Sequence, residues 1–302
     1  MRIAVIGAGA LGLYYGAMLQ RAGQQVSFLL RRDFQAITQG GLSVTSPAGD
    51  FHLDQVAGFR DSAAIGPVDL VLVGLKTFAN DRLVDLVRPL MTGDTAVLTL
   101  QNGLGNEELL ADAFGAQRVL GGIAFLCSNR GEPGEVHHLG QGPIRLGEFA
   151  GGLSARAEAI ADTFNAAGVR CEAVADLVKA RWEKLVWNIP FNGLCALTGQ
   201  PTDALLAHPP ARAEVRALMT EVVAGGNAQG LSAPIDGPAF IDRMIELTEG
   251  MDAYRPSMMI DRLEGRPLEL EAIYGIPLRH AAARGVEMPR VRMLHALLGV
   301  NG

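Results

Sequence analysis

The sequence is poor in cysteine, in aromatic side chains and in positive charge. Its three cysteines, Cys127, Cys171 and Cys195, are an odd number among 302 residues, and they lie too far apart to form a metal-binding cluster. We expect them to be reduced thiols, as is typical of a cytoplasmic protein, and we predict no metal site.

Charge and hydropathy exclude two large classes of partner. There are 26 basic residues against 32 acidic ones, a net charge of -6, so no general positive field attracts nucleic acid or an anionic membrane. No apolar run reaches membrane-spanning length, and the start of the chain passes directly into a strand pattern rather than a signal peptide. We therefore predict a cytoplasmic protein, monomeric or homodimeric, whose partner is a small molecule and neither nucleic acid nor a membrane.

The first motif is a glycine-rich turn between a strand and a helix. Residues 2–6 are apolar, a helical pattern covers residues 13–21, and a second strand pattern covers residues 25–30. The turn itself reads Gly7, Ala8, Gly9, Ala10, Leu11 and Gly12. In this context the three glycines predict a dinucleotide-binding turn, whose amides and helix dipole hold a pyrophosphate. The alternative is a strand-helix turn that only tolerates glycine.

Two arginines follow the second strand, where an enzyme that uses NAD normally has an acidic residue for the ribose. Arg31 and Arg32 favour a 2'-phosphate instead, because a guanidinium binds phosphate bidentately. The cofactor prediction is therefore NADPH, with solvated loop charges as the alternative and Asp33 as a competing feature.

Polar residues also end two later strands of the predicted sheet. Lys76 follows the strand pattern of residues 69–75, and Asn102 follows that of residues 95–100. Ligands of open α/β sheets bind beyond the carboxyl ends of the strands, so both are candidate cofactor contacts. Asn102 and Gly103 are alternatively a turn and helix start. Further on, residues 135–138 and 143–147 predict a hairpin around a glycine-rich turn.

From Asp176 onward the period of the apolar residues is helical. The predicted helices cover residues 176–196, 209–229, 238–248, 268–284 and 289–298. The predicted fold class is thus α/β plus all-α. A Rossmann-type doubly wound domain, residues 1–175, binds NADP, and an all-helical domain, residues 176–302, binds the substrate and carries the catalytic residues.

The first helix of the second domain carries a polar stripe among apolar residues. Lys184, Asn188 and Asn192 are spaced four apart and share one helix face. Such a stripe is either a buried network or a pocket wall. A hydride acceptor needs a proton donor, and Lys184 suits this role if burial and neighbouring Arg181 make it more acidic; a surface lysine is the alternative. Asparagines donate to carboxylate and carbonyl oxygens without adding charge.

Two further polar residues lie in the segment of residues 254–275. Ser257 follows a proline and is a candidate substrate residue or, alternatively, a helix cap. Glu269 opens the next predicted helix, where a carboxylate also suits the helix dipole.

With these motifs in place, the chain resembles the ketopantoate reductases (2-dehydropantoate 2-reductases) over nearly its whole length. The shared motifs are the glycine turn of residues 7–12, Leu75-Lys76, Gln101-Asn102-Gly103, Lys184 with Asn188 and Asn192, Pro256-Ser257-Met258, and Glu269. The resemblance implies NADPH-dependent reduction of 2-dehydropantoate to (R)-pantoate, a step in pantothenate and coenzyme A biosynthesis.

The resemblance also implies roles for these residues. Lys184 would be the general acid, and Glu269 would hydrogen-bond near the reacting or the distal hydroxyl. Ser257, Asn188 and Asn192 would hold substrate oxygens. Asn102 would lie where nicotinamide and substrate meet, and Arg31 and Lys76 would contact the adenosine phosphates.

Two residues depart from the family pattern. Tyr274 replaces a common asparagine, which predicts an altered pocket wall, and Pro190 predicts a kinked or loosened turn between the two asparagines.

Two other functions fit parts of this pattern. A 3-hydroxyacid or polyol-phosphate dehydrogenase shares the domain order and a lysine. A regulator that senses NADPH without turnover needs the first domain but no proton donor, and the presence of both Lys184 and Glu269 argues against it.

Overall fold

A computed structural model describes residues 1–300 of the chain. The chain forms two compact units. The first contains Met1–Gln101 and Asn106–Leu177, and the second contains Asn102–Gly105 and the chain from Val178 onward. Four residues of the predicted first domain, Asn102–Gly105, therefore pack with the second unit.

The first unit is built on a ten-stranded mixed sheet. Its strands are β1 (Arg2–Ile6), β2 (Gln25–Leu29), β3 (Leu42–Thr45), β4 (Phe51–Leu53), β5 (Ala57–Phe59), β6 (Leu70–Val73), β7 (Ala96–Thr99), β8 (Val119–Arg130), β9 (Glu135–Glu148) and β10 (Cys171–Ala173). They lie in the order β4-β3-β9-β8-β7-β6-β1-β2-β5, and β10 also pairs with β9. From β8 to β5 every pair is parallel, which is the order of a doubly wound nucleotide-binding sheet.

Both faces of this sheet are covered by helices. They are α1 (Ala10–Arg21), α2 (Phe34–Gly40), α3 (Leu83–Val87), α4 (Asn106–Phe114) and α5 (Ala155–Ala166), with 3-10 turns at Ser62–Ala64, Thr77–Arg82, Arg88–Leu90 and Ala116–Arg118. Along β1, Ile3 and Val5 belong to the core on the side of α1 and α5, whereas Ala4 and Ile6 belong to the core on the side of α3 and α4. This two-sided burial explains why β1 is a continuous apolar run.

The predicted hairpin between residues 135 and 147 is wrong. β9 is one strand that passes through the glycine-rich segment and pairs antiparallel with β8, with register shifts on the β8 side at Ala124/Leu126 and Cys127/Ser128. Gly140, Gln141 and Gly142 have φ values of 156°, 62° and 129°, so the segment is an irregular stretch of strand rather than a chain reversal. The glycines serve this irregular backbone, not a turn.

The second unit is helical. Its helices are α6 (Leu177–Thr198), α7 (Thr202–Ala207), α8 (Pro209–Asn227), α9 (Gly237–Glu249), α10 (Ser257–Leu263), α11 (Ile276–Ala283) and α12 (Pro289–Val300), with a π-helical segment at Glu271–Gly275 before α11. The five predicted helices are present, although the fourth begins as the π-helical segment and continues as α11. The two short helices α7 and α10 were not predicted. The predicted fold class, α/β plus all-α, is confirmed.

Helix α6 lies at the centre of the second unit. Trp182, Leu185, Val186, Ile189 and Phe191 are almost completely buried in the helical core. Neighbouring α8 presents two glycines to this helix, and a Cβ added at Gly225 or Gly226 would lie 3.1 Å or 3.0 Å from Trp182. The two glycines therefore let Trp182 of α6 pack closely against the backbone of α8, and this packing holds α6 in place.

No helix among residues 1–300 has the length and hydropathy needed to cross a membrane. In the same residues, no group of His, Cys, Asp and Glu is arranged to hold a metal ion.

Candidate active site

The three glycines of the turn in the first unit have different surroundings. Gly7 has φ of 103°, and a Cβ there would lie 2.3 Å from the backbone nitrogen of Leu75. A Cβ at Gly12 would lie 2.2 Å from the carbonyl oxygen of Gly7. At Gly9, in contrast, an added Cβ meets nothing within 4 Å among the described residues. Two glycines thus permit close packing, while the third leaves its surroundings open to a ligand.

The start of α1 suits an anion. Gly9 is the N-cap residue, its carbonyl accepts from the Leu13 amide at 2.9 Å, and within the described chain no side chain caps this helix. The first turn also contains no acidic residue in the part of the chain that the structure describes. The first-turn amides and the helix dipole therefore fit a pyrophosphate.

Arg31 and Arg32, predicted together, have different surroundings. Arg31 is exposed, and within residues 1–300 its guanidinium makes no hydrogen bond or ion pair. Arg32 donates to the Gly131 carbonyl at 2.8 Å, and its Nε lies 3.7 Å from Oδ1 of Asp33. Arg31 is thus the better candidate for a phosphate.

The carboxylate of Asp33 is engaged within the protein. Its side chain is buried, and its carboxylate accepts from Arg130 and, at 3.3 Å, from the Gly134 amide. The carboxylate therefore holds the β8–β9 connection to the start of α2.

Lys76 lies next to the glycine turn. It directly follows Leu75, whose backbone packs against Gly7, and it precedes the 3-10 turn Thr77–Arg82. The carboxyl ends of β1 and β6 are adjacent because these strands pair in parallel. Lys76 is therefore placed near the start of α1, as its candidate role requires.

Sequence reasoning missed an amide network at the carboxyl ends of the central strands. The Gln101 side chain donates to Oδ1 of Asn80 at 2.8 Å, and the Asn80 amide donates to Oδ1 of Asn106 at 2.9 Å. Thr99 donates to Oε1 of Gln101 at 3.0 Å. This network fixes both ends of the segment that contains Asn102. Only the position of Gln101 after a strand signalled it in the sequence.

The segment Asn102–Gly105 packs on the π-helical segment. The Leu104 amide donates to the Ala272 carbonyl at 2.9 Å, and a Cβ at Gly103 would lie 2.2 Å from the same oxygen. Gly103 has φ of 80°, so glycine is needed here both for its conformation and for the close approach. This packing determines the position of Asn102.

Asn102 contacts the first asparagine of the polar stripe. The Asn188 amide donates to Oδ1 of Asn102 at 3.5 Å, and Asn188 is 2% exposed. Two residues 86 positions apart in the chain, both predicted as site residues, are thus neighbours within the second unit.

Asn192 is held by the start of α10. Its Oδ1 accepts from the Met258 amide at 3.1 Å and from the Ser257 hydroxyl at 3.5 Å. The acceptor for this helix end is therefore Asn192 rather than Ser257, which corrects the interpretation of Ser257 as the cap. Because a backbone N–H can only donate, the oxygen of the Asn192 amide must face Met258.

Lys184 and Glu269 complete the predicted set. Lys184 is half-buried on α6, one turn before Asn188, a rise of about 6 Å along the axis. Glu269 is 3% exposed and directly precedes the helical residue Leu270, and its carbonyl accepts from the Ile273 amide at 3.1 Å. Glu269 therefore lies directly before the helical segment that contacts Asn102–Gly105.

The two departures from the family pattern meet on α6. The helix runs through Pro190 to Thr198 as one element. The hydroxyl of Tyr274, fully buried, donates to the Ile189 carbonyl at 2.9 Å. Tyr274 therefore supports α6 next to the proline.

Two of the three cysteines are buried. Burial raises the pKa of Cys171 and of Cys195 to about 12, so both are protonated thiols at neutral pH. The structure contains them as free cysteines, with Cys127 partly exposed.

Comparison with known proteins identifies the family. The model of the family described as Ketopantoate reductase PanE/ApbA matches residues 3–151, and that described as Ketopantoate reductase PanE/ApbA C terminal matches residues 176–301. The 2-dehydropantoate 2-reductase of Nostoc sp. is 45% identical, with 100% of this chain and 95% of the relative aligned.

Solved structures agree with this result. The crystal structure of 2-dehydropantoate 2-reductase from Geobacter metallireducens GS-15 is 59% identical, with a TM-score of 0.98 over 100% of both chains. The enzyme of the same name from Methylococcus capsulatus is 32% identical, with a TM-score of 0.90 over 99% of this chain and 96% of that one.

The fold and these matches define an oxidoreductase that acts on a CH-OH group. The chain belongs to the ketopantoate reductase PanE/ApbA family, as the sequence motifs predicted.

Proposed function

We propose that this protein reduces a branched 2-ketoacid with NADPH, and that the ketoacid is 2-dehydropantoate, which becomes (R)-pantoate. The relatives at 45% and 59% identity are named 2-dehydropantoate 2-reductases. The observation that carries the proposal is the orientation of the Asn192 amide.

The Asn192 amide offers one defined donor. Its oxygen faces the Met258 amide, so its NH2 group points elsewhere. Within residues 1–300 that nitrogen makes no hydrogen bond, although the residue is 2% exposed. This nitrogen is not among the fully enclosed atoms that lack a hydrogen-bond partner, so it is accessible to a ligand, and a ketoacid oxygen would supply its acceptor.

The neighbouring polar groups extend this donor into a substrate site. Asn188 and Ser257 hold further oxygens of the ketoacid, as donors that add no charge of their own. Glu269 accepts from a substrate hydroxyl, which suits a 2-ketoacid that carries a second, distal hydroxyl. This set distinguishes hydroxylated 2-dehydropantoate from simpler branched ketoacids.

Lys184 is the general acid in this mechanism. Reduction of the ketone places negative charge on the former carbonyl oxygen, and an ammonium group of Lys184 donates the proton that completes the alcohol. The charge of the ammonium also stabilises the developing alkoxide. The product is neutral at the new hydroxyl, and Lys184 regains its proton from solvent after release.

The residues of the first unit fit a nicotinamide dinucleotide phosphate. The open surroundings of Gly9 and the first-turn amides of α1 suit the pyrophosphate, and Arg31 suits the 2'-phosphate, with Lys76 as a further contact. Asn102, which packs with the second unit, is a separate candidate for a cofactor contact. When bound, NADPH supplies the hydride. We assign residues 1–175 to NADP binding and residues 176–302 to substrate binding and catalysis.

A substrate panel tests the proposal. NADPH absorbance is followed upon addition of 2-dehydropantoate or 2-oxoisovalerate, and NADP⁺ reduction upon addition of 3-hydroxyisobutyrate. We expect the highest kcat/KM with 2-dehydropantoate, and faster turnover of 3-hydroxyisobutyrate would instead establish a 3-hydroxyacid dehydrogenase. NADPH binding without turnover of any compound would establish a cofactor-sensing protein and refute the proposed reaction.

A further inference from the structure

One unassigned feature of the first unit is a cavity of about 660 Å³ beside the second half of α1. Its walls come from α1, the β3–β4 connection, the irregular part of β9 and the α5–β10 connection. Tyr14, Met18 and Arg21 line it from α1, so it begins beyond the glycine turn that ends at Gly12. The volume lies in the range of sites for small organic ligands.

The cavity lies beside a stretch of β9 that has no partner strand on one edge. β9 pairs with β3 through residues 135–137 and with β10 through residues 144–146. Between them, residues 138–143 have no partner strand on that edge within the described chain. Gln141 has φ of 62° in this interval, one of two non-glycine residues with positive φ among residues 1–300. A strained residue at this place is consistent with a functional constraint.

Tyr14 provides a polar group aimed into the cavity. The residue is 5% exposed, and in the part of the chain that the structure describes its hydroxyl makes no hydrogen bond. The adjacent Tyr15 shows the contrast, because its hydroxyl donates to the Gly142 carbonyl at 3.1 Å. Burial raises the pKa of Tyr14, so its hydroxyl remains a hydrogen-bond donor at neutral pH.

His138 supports Tyr14 rather than the ligand. The two rings lie 4.4 Å apart between centroids. One ring nitrogen of His138 lies 2.8 Å from the Ser46 hydroxyl, and the other lies 2.9 Å from the Gln141 carbonyl oxygen. With both nitrogens engaged, the imidazole is fixed and holds the phenol ring against the irregular strand.

The charged residues of the lining are all basic. Arg21 and Arg170 line the cavity, and among the described lining residues there is no carboxylate, although the whole chain has a net charge of -6. The nearby carboxylate of Asp50 accepts from the Ser46 amide at 2.8 Å, within its own loop. The Arg21 guanidinium lies 4.5 Å from the centre of the Phe51 ring, which keeps it along the cavity wall. An anion is therefore favoured over a cation.

The remaining lining is largely apolar. It includes Met18, Ala22, Pro143, Ala167 and Val169. A fully hydrated ion such as sulfate gains nothing from these side chains, whereas an aromatic or aliphatic group is removed from water there.

We propose that this cavity binds a small organic anion, a carboxylate or sulfonate with an aromatic or aliphatic body. Tyr14 donates a hydrogen bond to the anionic group, and Arg21 and Arg170 balance its charge. The site is separate from the glycine turn and does not depend on the proposed ketoacid reaction.

A fluorescence titration of the full chain with anilinonaphthalene sulfonate tests the proposal, with NADP⁺ present at saturation so that the dinucleotide site is not available. We expect Tyr14→Phe and Arg170→Gln each to raise the Kd of the probe at least about fivefold, as loss of a hydrogen bond or charge to an anion should. Arg88→Gln is the matched control, since Arg88 is exposed like Arg170 and lies outside the cavity, where it packs on the Phe114 ring. The Kd of the probe for Arg88→Gln should equal that for the wild type.

Competition defines the ligand class. Octanoate should displace the probe, and inorganic sulfate at the same concentration should not. An unchanged Kd in either cavity variant, probe binding that is seen only without NADP⁺, or equal displacement by sulfate would overturn the proposal. Ala166→Trp is a second test that leaves the core untouched, because Ala166 is an exposed lining residue. It should abolish probe binding while the thermal midpoint is retained.

Discussion

The hydroxyl of Tyr274 donates to the carbonyl oxygen of Ile189 across 2.9 Å, and a glycine makes this contact possible. A Cβ at Gly193, one turn further along α6, would lie 2.5 Å from the same hydroxyl oxygen. Ile189 lies between Asn188 and Pro190, so the bond joins the π-helical segment to the part of α6 that carries the predicted substrate asparagines.

Replacement of Gly193 by alanine should destabilise the protein. Helix propensity alone favours alanine by about 1 kcal/mol. The new methyl group would also overlap Tyr274 and lie 2.6 Å from Leu294 Cδ2. Overpacking of this kind costs about 1–3 kcal/mol, so we expect a lower thermal midpoint. Gly299→Ala on α12 is the control, since a Cβ there meets nothing within 4 Å among the described residues; its midpoint should be unchanged or higher.

Tyr274→Phe should weaken substrate binding as well as stability. Loss of the buried hydrogen bond costs about 1 kcal/mol, and the part of α6 around Asn188 loses an anchor. We expect the KM for 2-dehydropantoate to rise severalfold. Tyr15→Phe removes a similar bond, from Tyr15 to the Gly142 carbonyl in the first unit, and should lower stability without changing KM. Equal KM values in the two variants would contradict a positioning role for Tyr274.

The parts of the fold that the sequence predicted are those that depend on local pattern. The apolar run of β1 and the glycines after it specify a strand, a tight turn and a helix, and the polar stripe of α6 follows from helical spacing. The prediction of a hairpin in β9 was wrong because β8 pairs along the strand, and this long-range interaction overrides the glycine-rich local signal. The helices α7 and α10 are 6 and 7 residues long, too short to show a clear period.

The candidate site shows the same limit. The spacing of Lys184, Asn188 and Asn192 was visible in the sequence. The contact of Asn188 with Asn102 was not, because it depends on the packing of Gly103 against Ala272. The different surroundings of Arg31 and Arg32 were also hidden, since the partner of Arg32 lies 99 residues away at Gly131.

Ser257→Ala should separate a substrate role from a capping role. The Ser257 hydroxyl lies 3.5 Å from Asn192, a weak contact, so we expect a stability change below about 0.5 kcal/mol. If Ser257 holds a substrate oxygen, the KM for the ketoacid rises about tenfold. Ser154→Ala provides the opposite case, because Ser154 caps α5 through the Ala157 amide at 3.0 Å. That variant should lose about 1 kcal/mol of stability with an unchanged KM.

Lys184→Ala should abolish proton donation but not cofactor binding. Removal of a general acid lowers turnover at least about a hundredfold. The Kd of NADPH, measured by fluorescence, should remain within about twofold of the wild-type value, because the dinucleotide contacts proposed in the first unit do not include Lys184. Lys179→Ala is the control on the same helix, since a five-residue offset places it on a different face. Turnover that survives in Lys184→Ala would exclude the lysine as the acid.

Arg31→Ala and Arg32→Ala should differ in what they change. Arg31 is exposed without a hydrogen bond or ion pair within residues 1–300, so it is available for a 2'-phosphate, whereas Arg32 binds the Gly131 carbonyl and lies beside buried Asp33. We expect Arg31→Ala to raise the Kd of NADPH at least about tenfold and that of NADH little, since only the former has the phosphate. Arg32→Ala should lower the thermal midpoint more than it changes the ratio of the two Kd values. Because each variant is the control for the other, an equal loss of NADPH and NADH affinity in Arg31→Ala would refute the phosphate role. A selective loss of NADPH affinity in Arg32→Ala alone would transfer that role to Arg32.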